Sequence, residues 1–237
     1  MKVIECNLRA SRSFPFVSKV FRMNFVDAAT KVIMGHQVPP FDRSAFDLDY
    51  VGIKSPQFSF TRLQGSDPVS GVEMASTGEV ACLGDDFHEA FLKSLLSVGF
   101  ELPKKNILLS TGPLMSKTEF LASAKLLDEM GFTFFATDGT AKFMRENGFQ
   151  VNALHWPSEK AEPNTLTYIA DGKIDLVINI PKSEDRAELE NDYLIRRKAV
   201  DFNVPLITNL QLAQRFVKAI HHLSLADLKV KSWDEYQ

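Results

Sequence analysis

The sequence predicts an α/β protein: a parallel, doubly wound sheet over residues 103–237, preceded by a smaller α/β segment over 1–102. Three observations carry this reading. From Asn106 onward, short apolar runs alternate strictly with amphipathic stretches, the rhythm of strands covered on both faces by helices. Gly131 and Gly148 stand where two of those helices must stop. Before the linker-like Leu102-Pro103-Lys104-Lys105, strands are fewer and are separated by turns and loops.

In the first segment, residues 3–7 read as a short apolar strand. Phe25, Ala28, Ala29 and Val32 repeat at helical spacing, and Gly35 takes the position of a helix-ending glycine, so 25–34 reads as a helix. Residues 36–49, with Pro39 and Pro40, read as loop. Tyr50–Lys54 and Gly78–Leu83 read as short strands. Asp85 and Asp86 open a helix through Val98, where acidic side chains favour the positive end of the dipole. Phe87, Ala90, Phe91, Ser94 and Leu95 form one face of it.

In the second segment, strands are expected at 107–110, 132–136, 150–155, 174–180 and 205–208. The helices expected to follow them span 117–130, 139–147, 164–171, 189–201 and 211–222. The tail 229–237 reads as a surface strand or extension.

Composition narrows the function. Of the 237 residues, 45% are apolar and 24% charged, the balance of a globular protein with a proper core. A net charge of −3 gives no basic stripe, so no nucleic-acid partner is expected. Two cysteines, Cys6 and Cys82, make neither a disulfide framework nor a metal spacing. No apolar run approaches the roughly 18 residues of a membrane span, so no membrane partner is expected. The start, Met-Lys-Val-Ile-Glu, carries no signal or transit pattern, which predicts a cytoplasmic protein.

Two places offer chemistry. On strand 3–7, Glu5, Asn7 and Arg9 share one face because strand side chains repeat every two residues. A carboxylate and an amide oxygen suit Mg²⁺ carrying phosphate oxygens, and a guanidinium suits the anion; Arg12 adds a second donor. The same row equally fits an edge strand with a solvated face. In the second segment, a ligand of an open parallel sheet is expected beyond the carboxyl ends of its strands. The residues there include Ser110-Thr111-Gly112, Thr137-Asp138-Gly139-Thr140, Trp156-Pro157 and Asn179. Thr137 and Thr140 present hydroxyls at a helix start, where anions are received. Lys117 brings a positive charge, Trp156 a flat wall with one donor, and Asn179 a donor and an acceptor. Singly, each has a plainer reading: Thr137 as a helix cap, Trp156 as core, Lys117 as a solvated lysine and Asn179 as a strand end. His221-His222 read as a favourable pairing with a helix dipole.

The wording around these residues is specific. Glu5–Lys19, Glu-Cys-Asn-Leu-Arg-Ala-Ser-Arg-Ser-Phe-Pro-Phe-Val-Ser-Lys, resembles the close of the second ATP-grasp domain in the large chain of carbamoyl phosphate synthetases. The resemblance continues through Glu73-Met-Ala-Ser-Thr-Gly-Glu-Val80 and on to Trp233. The second half is similar to the methylglyoxal-synthase-like regulatory domain of that family. Ala-Thr137-Asp-Gly-Thr140 matches its Ala-Thr-x-Gly-Thr loop, Asn179 its Ile-Asn position, and Ile195-Arg196-Arg197 its Ile-Arg-Arg.

The resemblance implies that the chain is the C-terminal part of such a large chain, since no Gly-rich phosphate loop precedes Glu5. Residues 1–102 then complete the carbamate-phosphorylating unit, and 103–237 bind an allosteric effector. Glu5 and Asn7 take Mg²⁺ or Mn²⁺ against ATP, with Arg9 and Arg12 as the catalytic arginines. Implied partners are the rest of the large chain and the glutaminase small chain or domain, feeding pyrimidine or arginine synthesis; a homo-oligomer is left open. The implied effector is a small anion, a nucleotide or phosphorylated metabolite, held by Lys117, Thr137, Thr140, Trp156 and Asn179. Trp156 stands where acetylglutamate-controlled members carry tryptophan and nucleotide-controlled bacterial ones a lysine. Lys182 and Asp192, however, replace two asparagines of that acetylglutamate site, which argues against acetylglutamate; Ser55 replaces a glutamate of the ornithine-controlled members, which argues against ornithine. Pro181–Ala187 lacks the Gly-Gly-Asp context that a methylglyoxal synthase needs, which argues against that activity. By itself the chain is expected to bind no ATP or metal and to be inactive. The competing reading is a free-standing regulatory module that binds a small anion or nucleotide and catalyses nothing.

Overall fold

The computed structural model describes residues 9, 11, 13–69, 76–181 and 186–236. Its centre is a five-stranded, fully parallel sheet formed by β3 (Asn106–Thr111), β4 (Thr133–Thr137), β5 (Val151–Leu154), β6 (Leu176–Ile180) and β7 (Leu206–Ile207). The strand order is β5-β4-β3-β6-β7, so the chain winds outward from β3, returns to its other side and winds outward again. Registers such as Leu109↔Ala136 and Leu109↔Ile178 place β3 centrally, and its residues from Ile107 to Thr111 are all buried.

Alternate residues of β3 serve two cores, as the two-residue period requires. Ile107 and Leu109 face α4 (Leu114–Glu129), α5 (Asp138–Glu146) and α8 (Leu210–His222) through Phe120, Leu127, Met144 and Phe216. Leu108 faces α6 (Thr165–Ala170) and α7 (Arg186–Asp201) through Ile169, Ile195 and Ala199. The predicted strand–helix alternation is therefore observed, with ends shifted by a few residues. Gly131 and Gly148 adopt φ of 82° and 90°, the left-handed turn that a side chain resists, and end α4 and α5.

The preceding segment holds α1 (Ser13–Phe21), α2 (Phe25–Ile33), an antiparallel pair β1 (Val51–Phe58) and β2 (Ser76–Gly84), and α3 (Phe87–Ser97). Asp86 caps α3 by accepting the Glu89 N–H at 2.9 Å. Phe91 and Leu92 of α3 lie in the same buried cluster as Leu210 and Phe216 of α8, so the two segments share one core.

One expectation changes and another is narrowed. Helix α1 was not anticipated, because its residues were read within a longer motif; Pro15 sits in its first turn, where no intrahelical N–H is required. Of the two readings of the tail, strand or extension, the structure shows the extension: a short 3₁₀ turn at Trp233–Glu235 lies in it, and the tail returns across the first segment. There Lys229 and Lys231 meet Asp85, at 2.9 and 2.5 Å. The Trp233 indole donates to the Lys19 carbonyl at 3.1 Å, and buried Tyr236 sits tilted against Tyr50. The proposed strand 3–7, with Glu5 and Asn7, and Arg12 lie outside the described residues; Arg9 is described and exposed.

Candidate effector-binding site

The loops after β3, β4 and β5 meet the first turn of α4 and the flank of α7 around a cavity of about 80 Å³. That is room for several water-sized groups, enough for the oxygens of one anionic substituent and its neighbours. Lys117, Thr137, Thr140 and Trp156 line it together with Ser110, Thr111 and Asp192.

Thr137 occupies the cap position of α5, yet its side chain makes no cap hydrogen bond. Its hydroxyl donates instead to Ser110 Oγ at 3.4 Å, on the cavity wall. The plain capping reading therefore does not account for it. Thr140, 3% exposed, ties the loops together: its Oγ1 accepts the Thr111 N–H at 3.2 Å and donates to the Thr111 carbonyl at 3.3 Å. Pairing of β3 with β4 ends at Leu109↔Ala136, so the Thr111 N–H lies beyond the ladder and relies on this hydroxyl.

Helix α4 also starts without a side-chain cap, at Pro113. Two uncapped helix starts thus open toward one cavity, and their first-turn N–H groups and dipoles favour negative charge. Lys117 adds a full positive charge: its Nζ lies beside Gly139, 3.6 Å from where a Cβ would stand on that glycine. Trp156 closes one side, half-buried against the second core.

Asp192 supplies the opposite charge. It is 3% exposed, and its Oδ1 accepts from Ser110 Oγ at 3.0 Å and from Asn179 Nδ2 at 2.8 Å. Asn179, fully buried, stays out of the cavity lining and stands behind Asp192, where its Oδ1 accepts from Arg196 Nη1 at 2.8 Å. Of the five residues expected at the effector site, four therefore line the cavity and Asn179 supports it from beneath. Ser110, Thr111 and Asp192 were not among the expected ligands. The first two carried a signal, their place at the end of β3. Asp192 was marked only by the resemblance, as the residue replacing an asparagine of the acetylglutamate-controlled members, and its residue type in a helix rich in polar residues gave no signal. Lys182 lies outside the described residues, as do residues 183–185 of the Pro181–Ala187 stretch.

Among the described residues, no three His, Cys, Asp or Glu side chains form a group that could hold a metal ion. No described helix is long and apolar enough to cross a membrane.

Residues 119–208 match the family model of the MGS-like domain. The chain is 49% identical over 229 residues to "Multifunctional protein pyr1-3" of Dictyostelium discoideum, covering 94% of this chain and 10% of that protein. It is 44% identical over 236 residues to the mitochondrial "Carbamoyl-phosphate synthase [ammonia]" of Homo sapiens, covering 96% of this chain and 16% of that one. The chain thus spans between a tenth and a sixth of the length of these two relatives. A crystal structure of methylglyoxal synthase from Elizabethkingia anophelis aligns at TM-score 0.38 and 20% identity, over 56% of this chain and 90% of that one.

Proposed function

Since this chain carries an MGS-like domain within a sequence similar almost throughout to carbamoyl-phosphate synthase, we propose that it is the closing part of a carbamoyl phosphate synthetase large chain. In this reading residues 103–237 are the effector-binding domain, and residues 1–102 complete the unit that phosphorylates carbamate with MgATP. The intact enzyme would join bicarbonate, a glutamine-derived amine nitrogen and phosphate from ATP in the cytoplasm, with a glutaminase partner. Glu5 and Asn7 would hold the metal, with Arg9 and Arg12 steadying anionic groups; of these four the structure describes Arg9.

The observation that carries the regulatory reading is the cavity itself. Two uncapped helix starts, the Lys117 ammonium and the hydroxyl of Thr137 face one small space beside Trp156. This is an anion receptor with an aromatic wall, and its acidic member Asp192 favours an anion that also carries a hydrogen-bond donor. A small nucleotide or phosphorylated metabolite meets both demands.

The test is calorimetric. UMP, UTP, phosphoribosyl pyrophosphate, ornithine and acetylglutamate are titrated into the 237-residue chain and into Lys117→Gln. A phosphorylated ligand should bind the first and weaken at least tenfold in the second. Binding that is indifferent to Lys117, or selective for ornithine, would overturn the assignment.

A further inference from the structure

One wall of the cavity begins a buried polar chain that leads out of the domain. Asp192 accepts from the Asn179 amide, and the Asn179 oxygen accepts from Arg196. The rest of that guanidinium grips Asp67 in two parallel bonds, Nε to Oδ1 at 2.8 Å and Nη2 to Oδ2 at 2.6 Å. Asp192, Asn179 and Arg196 are 3%, 0% and 2% exposed.

Asp67 belongs to the loop 59–69, which follows β1 in the first segment. That loop is fastened to α7. Arg197 Nη1 donates to the carbonyls of Phe60, Leu63 and Ser66, and the Tyr193 hydroxyl donates to the Gly65 carbonyl at 2.9 Å. Asn179 is the sensitive link. A carboxylate on one side demands its NH₂ and a guanidinium on the other demands its oxygen, so the amide has one acceptable orientation. Any ligand that engages or neutralises Asp192 loosens the first of those demands, and in a buried network each bond depends on its neighbours.

We propose that occupancy of the cavity is transmitted along Asp192–Asn179–Arg196–Asp67 to the loop 59–69, which acts as the first segment's receiver of the effector signal. This rests on the effector-site reading, and Arg196 is accordingly a positioning residue.

A double-mutant cycle on the ligand-free chain tests the connection directly. Asp67→Asn and Asp192→Asn alter residues that do not touch, and distant sites ordinarily add. A connected chain instead gives a departure from additivity of about threefold or more in the unfolding constant. With UMP as probe, Asp67→Asn should shift the affinity by about 2- to 30-fold, because coupling is reciprocal, and UMP should change amide exchange across 59–69 in the wild-type chain. Tyr193→Phe, which loosens the same loop off the chain of bonds, should leave UMP affinity within about twofold. An additive cycle overturns the proposal, as does UMP affinity in Asp67→Asn equal to wild type. Should UMP not bind the wild-type chain, UMP is excluded as the effector while the ligand-free cycle still decides the connection.

Discussion

Replacing each cavity threonine by valine separates what the two hydroxyls do, because valine keeps the shape and the β-branch. In Thr140→Val the Thr111 N–H loses its acceptor beyond the end of the β3–β4 ladder. An orphaned, buried backbone donor costs about 1–3 kcal/mol. In Thr137→Val a 3.4 Å contact to Ser110 is lost and no backbone group is stranded, since Ser110 keeps its bond to Asp192. That loss should stay below about 1 kcal/mol. Toward a ligand the two should behave alike: a hydrogen bond to a charged group contributes about 1.5–3 kcal/mol, or roughly 10- to 150-fold in affinity. Urea unfolding should therefore show a lower midpoint at unchanged slope for Thr140→Val alone, while calorimetry shows weakened binding for both. A Thr140→Val variant as stable as wild type would refute the bonding argument. A Thr137→Val variant that binds phosphorylated ligand as tightly as wild type would remove that hydroxyl from the site.

Gly139→Ala should fold at least as well as wild type, since helices prefer Ala to Gly by about 0.5–1 kcal/mol. Its Cβ would meet Lys117 Nζ at 3.6 Å, an ordinary van der Waals contact, so calorimetry should show ligand binding little changed from wild type. Hydrogen bonds from Lys231 and then Lys229 hold the Asp85 carboxyl down to about 2, well below the usual carboxylate range. A carboxyl whose pKa is depressed on folding stabilises the fold above its unfolded pKa and loses that contribution as pH falls through the folded one. The returning tail should thus loosen between about pH 4 and 2, read by Trp233 fluorescence, and Asp85→Asn should remove that part of the acid response. Finally, the purified chain should show no carbamate- and Mg²⁺-dependent ATP turnover; measurable phosphate release above a heat-killed control would contradict this.

The rhythm of the second segment was legible from residue types alone. Continuous apolar strands such as Leu176–Ile180, separated by amphipathic stretches and stopped by Gly131 and Gly148, leave a parallel sheet as the arrangement that buries them on both sides. The rule that ligands gather at strand carboxyl ends then found Lys117, Thr137, Thr140 and Trp156, because those residues lie within a few positions of a strand end. Asn179 escaped the same rule for a definite reason. All five residues of β6 are buried, so no alternation in the sequence tells which side chains face a cavity and which face a second layer. Asp192 and Arg196 stood out only through the resemblance, since α7 is rich in charged residues and only packing selects which of them turn inward. Their partners Ser110 and Asp67 lie 82 and 129 residues away, and the contact of the tail with Asp85 spans 144. Local periodicity fixes which residues share a strand or a helix face; which distant charges become buried partners is decided only when the layers close, because a buried charge must find its counterpart wherever the fold brings one.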